Sequence, residues 1–437
     1  SRNGPRENQN QSYKTLRADA AGGLVSANSP GAGWQVDVKQ SDLPSGHINW
    51  RNKQGTAMPT YVQLSPGDPA PWFTIRSCAN PRFSFSTAGG RYVVLCFFAS
   101  AADPHSQAAL TAVQKRADIF NDERASFFGV SLDPSDEDEK RVADRDPGYR
   151  YFWDFDGVVS RHFGALPQGA EPGGTRAAIR RFWIVLDPTL RVLSVIPFAK
   201  DKADIAQVME SVGALPPPAQ FAGFAVQAPI LVLPNVFERA FCDALIGRYE
   251  AHGGMESGFM REVDGKTVPV HDPNHKRRKD HVIEEHDLIR AIQARFLRRV
   301  APMIHRAYQF KATRMERYIV SCYAAEDEGH FRAHRDNTTK GTAHRRFAVS
   351  VNLNDDFDGG EVSFPEYGPR SYKAPVGGAV VFSCSLLHAV SRVTRGRRYA
   401  FLPFLYDEEA ARVREANAGF VDATGGLGAL PDPASKA

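Results

Sequence analysis

Cysteine is scarce in this chain: five residues in 437, Cys78, Cys96, Cys242, Cys322 and Cys384. They are odd in number, widely scattered and free of any CxxC pair, which argues against a disulfide framework and a cysteine zinc site. A reducing compartment fits that usage, so a cytoplasmic location is expected. Long hydrophobic runs are missing too. YVVLCFFA at 92–99 falls far short of the ~20 apolar residues that a membrane helix needs. No basic-then-apolar leader opens the sequence, and the expectation is a soluble, unsecreted protein with no membrane partner. Charge of one sign is also absent, since 54 Lys and Arg against 50 Asp and Glu leave +4, too little to require nucleic acid. At ~100–200 residues per domain the length implies two or three domains and excludes a lone small module. Hydrophobic residues at 42% and charged residues at 24% exclude wholesale disorder.

Residues 1–57 hold 27 Gly, Ser, Asn, Gln or Pro and no apolar period, a composition that buries too little surface to order itself. They read as an added or mis-assigned extension ahead of Met58, or else as a native disordered arm. From 58 to 213, β-rich runs (YVVLCFF, ASFFGVSL, RFWIVLD, RVLSVIPF) alternate with helical ones, the pattern of an α/β domain around a central sheet. The proline-rich stretch 214–228 reads as a linker. Beyond it Asn235 can cap a helix carrying Val236, Phe237, Ala240, Phe241 and Leu245, closed by Gly253-Gly254, and a second helix over 287–307 is expected to kink at Pro302. After 311, short β runs separated by Gly and Asp turns suggest a sandwich or jelly roll up to about 410, with 411–437 as a tail.

Within that region His334-Arg335-Asp336 places an imidazole and a carboxylate two residues apart, on one side of an extended segment. His388 follows Asp336 with 51 residues between them, at the end of AVVFSCSLLH. Two histidines and one carboxylate with open positions form the facial triad of non-haem Fe(II) oxygenases. Arg398, ten residues past His388, can take the far carboxylate of a bound 2-oxoacid bidentately, while Arg397 faces the other way. Along RFAVSVNL, Phe347, Val349, Val351 and Leu353 share one face and leave the small or polar Ala348, Ser350 and Asn352 on the other. His330 is the strongest rival ligand, but its spacing of four from His334 suits a helix, and His305 and His344 read as packing or surface residues. Zinc in the same triad would suggest a hydrolase, but no obvious general base accompanies it and Arg398 would be idle.

Residues 229–410 resemble the catalytic domain of the prolyl 4-hydroxylase-like Fe(II)- and 2-oxoglutarate-dependent dioxygenases, through YAAEDEGHFRAHRDN (323–337), VNLNDDFDGGEVSFPEYG (351–368), PVGGAVVFSCSLLHAV (375–390) and VTRGRRY (393–399). The resemblance implies a double-stranded β-helix (jelly-roll) fold with supporting helices. It makes His334, Asp336 and His388 the iron ligands, Arg398 the partner of the 2-oxoglutarate C5 carboxylate, and Tyr323 a hydroxyl that helps hold the cosubstrate. Fe(II) is the implied cofactor, 2-oxoglutarate and O2 the cosubstrates, and ascorbate a conceivable auxiliary. A peptidyl proline or another protein side chain leads as substrate class, with a small molecule the alternative.

LSPGDPAPWFTI (64–75), YVVLCFFASAADPHSQ (92–107) and RRFWIVLDPTLRV (180–192) resemble a peroxiredoxin of the AhpC/TSA type on an α/β thioredoxin-like fold. That family's Pro-x-x-x-Thr-x-x-Cys loop falls on Ala99, Asp103 and Ser106, so the peroxidatic thiol is missing. A serine hydroxyl cannot replace it, and Asp103 opposes formation of an anion there. Arg181 matches the arginine that stabilises the thiolate, and Cys96 reads as a core residue. A non-catalytic domain used for binding, docking or homodimer formation is expected. The basic run HKRRKDH (275–281) reads as a solvated loop, the alternative being a positive rim that steers an acidic peptide or 2-oxoglutarate. The whole is expected to be a two-domain oxygenase, against a second hypothesis of a redox-linked scaffold or an O2 or iron sensor.

Overall fold

The apolar run Tyr92–Ala99 forms the middle strand of a five-stranded sheet, because its side chains are buried on both faces as a central strand requires. In a computed structural model of the protein, the described residues are 60–169 and 179–421, with the backbone of a short antiparallel pair, Gln35–Val36 and Trp50–Arg51. The extension expected over 1–57 otherwise lies outside the described residues, as do the last residues of the expected tail. Sheet order is Tyr149–Trp153, Ala125–Ser131, Tyr92–Ala99, Phe182–Leu186, Val192–Pro197; the first three strands are parallel and the last two join antiparallel. Helices Pro104–Gln114 and Ala203–Ala214 cover one face, over a core that includes Cys96, Trp183 and Val208. Phe85, Phe97, Phe128 and Phe163 fill the other face.

The second half is built from two facing sheets. The larger runs Leu231–Leu233, Ala379–Ser383, Phe347–Asn352, Arg397–Phe401, Ile319–Ala324, Lys279–Val282, Met255–Glu256. The smaller runs Lys276–Arg277, His330–His334, His388–Val390, Val362–Ser363, Ser371–Tyr372. Helices Arg239–His252, His286–Arg299 and Ala301–Tyr308 cover the outer face of the large sheet, where Leu245, Ile292, Phe296 and Ile304 pack on Val349, Val351, Val381 and Phe401. The inner face mixes polar residues such as Ser350, Asn352 and Arg398 with the apolar Ala348, Val380 and Phe382, and the site lies there.

Two helix boundaries differ from expectation. Asn235 adopts a left-handed φ of 58° and does not cap a helix. Val236 and Phe237 enter the core from a turn held by the Phe237 amide donating to the Gly377 carbonyl, and the helix starts only at Arg239. The kink expected at Pro302 is a full break at Val300, and the proline sits in the first turn of a new helix, where its missing N–H costs nothing.

Candidate functional site

His334 ends its strand opposite His388 on the neighbouring strand, so the register of one antiparallel pair brings the two imidazoles together with ring centroids 4.2 Å apart. Asp336, two residues on, is fixed by its amide donating to the Cys384 carbonyl. Its carboxylate oxygens lie 3.5 Å from His334 Nε2 and 3.3 Å from His388 Nε2, and one ligand atom from each residue falls within 4.8 Å of the others. His334 Nδ1 is 2.8 Å from the Arg332 carbonyl and His388 Nδ1 3.0 Å from the Leu386 carbonyl. A carbonyl only accepts, so each Nδ1 carries the proton and each Nε2 directs a lone pair inward. Burial, and then the neighbouring imidazole, lowers the His334 pKa to about 4. Burial opposes ionisation of Asp336, yet the two histidines hold its carboxyl well below the ordinary range. Two nitrogen lone pairs and a carboxylate facing one point, with their outer N–H groups anchored, fit a first-row divalent metal.

Arg398 lies across the cavity, 1% exposed. Its Nε and Nη2 each donate to Asn352 Oδ1 at 3.0 Å, and Nη2 donates to Ser350 Oγ at 2.8 Å. These are the polar residues of the face that alternation along 346–353 left open. Nη1 has no hydrogen-bond partner among the described residues. Burial pulls the pKa of this arginine down, but a guanidinium does not lose its proton in a protein, so a buried positive charge remains on neutral partners. Arg397, one residue earlier, faces outward and pairs with Glu326. The Tyr323 ring centroid lies 5.3 Å from the Arg398 guanidinium carbon, and both line the cavity that holds the triad.

The basic run at 275–281 is not a solvated loop. Strand alternation turns Lys276, Arg278 and Asp280 inward and Arg277, Lys279 and His281 outward. Arg278 donates to Asp280 at 2.6 Å and reaches the Tyr323 hydroxyl at 3.3 Å, while Asp280 also accepts from Ser321 Oγ. Burial alone would neutralise Asp280, but Arg278 and Lys276 hold its carboxyl far below the ordinary range. The network braces Tyr323 from behind. Composition hid it, and the acid alternating with bases was the available signal. His330 keeps away from the triad, with Nδ1 on the Glu328 carbonyl.

In the first half, Asp103 caps the helix Pro104–Gln114 by accepting from the amides of His105 and Ser106, and it pairs with Arg181. Ser106 Oγ is 3.0 Å from the Phe98 carbonyl. Cys96 is fully buried and burial drives its thiol well above the ordinary value, while burial and then Asp144 raise the exposed Cys78 to about 12.

Residues 318–406 match the 2OG-Fe(II) oxygenase superfamily, and residues 66–192 match the AhpC/TSA family. A PKHD-type hydroxylase of Bordetella pertussis is 31% identical over 164 residues, covering 34% of this chain and 71% of that relative. The chain belongs to the 2OG-Fe(II) oxygenase superfamily. Membership implies Fe(II), 2-oxoglutarate and O2, and the converging donor set is consistent with the metal. A PKHD-type hydroxylase of Gluconobacter oxydans is 41% identical over 80 residues, which are 16% of this chain and 35% of the relative. The chain spans between 35% and 39% of the length of this and two Synechococcus relatives. Among solved structures, a Trichoplax adhaerens prolyl hydroxylase in complex with a hypoxia inducible factor peptide fragment aligns with a TM-score of 0.35 at 15% identity, covering 48% of this chain and 94% of that one. Peroxidoxin BcpB from Mycobacterium tuberculosis aligns with a TM-score of 0.31 at 24% identity, covering 35% and 99%. Among the described residues, no helix is long and apolar enough to cross a membrane.

Proposed function

We propose that this oxygenase hydroxylates a C–H bond of a protein or peptide residue, a peptidyl proline first among them, and couples the reaction to decarboxylation of 2-oxoglutarate to succinate. The observation that carries the reading is the pairing of three converging ligand atoms with a buried arginine whose Nη1 has no hydrogen-bond partner among the described residues. His334, Asp336 and His388 hold Fe(II), and Arg398 takes the C5 carboxylate of 2-oxoglutarate. When bound, the iron supplies the activation of O2 and the oxidation of the C–H bond. The chain's own residues do the rest. The two carbonyl-anchored imidazoles point their Nε2 lone pairs to where the metal would be held. Asn352 and Ser350 fix the plane of the Arg398 guanidinium, and the Tyr323 hydroxyl, which accepts from Arg278, has its own proton to give to the cosubstrate. Phe382, Val362 and Val390 wall the cavity and exclude water. Ascorbate would keep the iron ferrous between cycles.

The hydroxylase names of the relatives support the reaction class, and the prolyl substrate rests on the resemblance of 323–399 to prolyl 4-hydroxylase-like enzymes. The first half is proposed to lack peroxidase activity, since Ser106 stands where a thiolate is needed and Asp103 already occupies Arg181. The test is succinate formation by the iron-loaded full chain with proline-containing peptides, with mass spectrometry of the peptide. Succinate matched by one added oxygen is expected. Turnover that no protein or peptide stimulates would displace this reading in favour of a sensor or scaffold.

A further inference from the structure

Between the ligands His334 and Asp336 stands Arg335, whose side chain turns away from the cavity and is 6% exposed in the whole residue. Its Nη2 donates to the backbone carbonyl of Ser86 at 2.8 Å and Nε to the same oxygen at 3.3 Å, across 249 residues of sequence. The Trp72 ring centroid lies 4.3 Å from the guanidinium carbon. Ser86 and Trp72 belong to the thioredoxin-like half. The rest of the guanidinium forms a fork on Glu366, Nη2 to Oε1 at 2.7 Å and Nη1 to Oε2 at 3.1 Å, and Nη1 also reaches the Ser385 carbonyl. Glu366 Oε2 accepts the amide of Leu387, the residue before His388, at 3.1 Å. One buried ion pair therefore ties together the segments carrying all three triad residues, and the first half supplies two of its contacts. The halves meet closely: a Cβ added at Gly89 would lie 3.0 Å from Glu366 Cγ, and one at Gly90 2.6 Å from Pro365 Cβ. Phe85, beside Ser86, is anchored in its own core against Phe73 and Phe128, so the carbonyl is offered from a rigid element.

We infer that the peroxiredoxin-like half is a built-in support of the metal site, with Arg335 as the positioning residue through which Ser86 and Trp72 set the geometry of the triad. This rests on the reading of His334, Asp336 and His388 as metal ligands. A support of this kind acts on metal affinity and ligand field, because outer partners fix the direction of the inner ligands. It also gives a domain without a peroxidatic thiol a reason to keep its fold.

The test uses the full chain and Co(II), titrated by calorimetry and by its visible ligand-field bands, with thermal unfolding as a control. Trp72 is half-exposed, so Trp72→Ala leaves folding intact and should weaken Co(II) by about threefold to tenfold. Gly89→Val, which wedges the halves apart without a left-handed backbone, and Arg335→Lys, which keeps the charge but loses the fork, should weaken it by about tenfold to a hundredfold and shift the bands. Co(II) binding within twofold of the parent, with unchanged bands, in Trp72→Ala and Arg335→Lys overturns the inference while leaving the triad intact as a metal site. Failure of the parent itself to bind Co(II), or binding that survives His334→Ala, overturns the reading of the triad and the inference with it.

Discussion

Each half of the molecule aims an arginine at the place where its fold would do chemistry, and the two arginines differ in what holds them. Arg181 is paired with Asp103, a carboxylate of its own domain, which also caps the helix. Arg398 is held by the neutral oxygens of Asn352 and Ser350 and, among the described residues, keeps one donor without a partner. An internal carboxylate neutralises the first site, whereas neutral acceptors orient the second without using its charge. A cationic site stays competent for an anionic ligand only when the protein leaves the charge uncompensated.

The largest effect should come from removing the ligands of the open site. On the proposed reading, His334→Ala, Asp336→Ala or His388→Ala should each abolish 2-oxoglutarate turnover in a succinate assay while the thermal transition persists, since each would supply one of three ligand atoms. Full activity in any one would remove that residue from the site. Closing the buried network behind Tyr323 is next: Asp280→Asn should cost ~3–5 kcal/mol in denaturant unfolding, because it leaves Arg278 buried without its counter-charge. Wild-type stability in that variant would show that the network is not braced as described.

The comparison can also be run backwards. Ser106→Cys alone should gain little peroxide reactivity, because Asp103 still holds Arg181, whereas adding Asp103→Thr frees the arginine and should lower the thiol pKa, read by thiolate absorbance. An unchanged thiol pKa in the double variant would mean that Arg181 is misplaced. The smallest effect is in pH dependence. Burial works against ionisation of Asp103, but the Ser106 amide and Arg181 depress its pKa below the ordinary value. Its stabilisation is therefore present above the unfolded carboxyl pKa of about 4 and is lost as pH falls through the lower folded value. The difference in urea midpoint between the parent and Asp103→Asn should shrink below about pH 4, and a constant difference would contradict that assignment.

Much of the site was legible because its chemistry is carried by residue types in a fixed order. His334, Asp336, His388 and Arg398 stand out singly, and period-two alternation already exposed Ser350 and Asn352 as the face toward them. What stayed hidden depends on partners far away in sequence. Arg335 drew no reading of its own, because one of its acceptors is a backbone carbonyl 249 residues earlier, which no residue type announces, and its carboxylate partner Glu366 is 31 residues later. Arg278 and Asp280 were hidden by their neighbours, since a run of charges reads as solvated until its alternation is noticed. The helix start at Arg239 was misplaced because Val236 and Phe237 are buried through a turn, and burial period alone does not separate a turn from a helix.

The most direct test of the account is calorimetric titration of 2-oxoglutarate into the Co(II)-loaded full chain, comparing the parent with Arg398→Leu and Arg181→Leu. Loss of the unpaired donor should weaken 2-oxoglutarate by ~2–5 kcal/mol in Arg398→Leu, with Co(II) affinity unchanged. Arg181→Leu should bind it as the parent does. Equal affinity for 2-oxoglutarate in the parent and Arg398→Leu would contradict the claim that the open arginine is the carboxylate anchor.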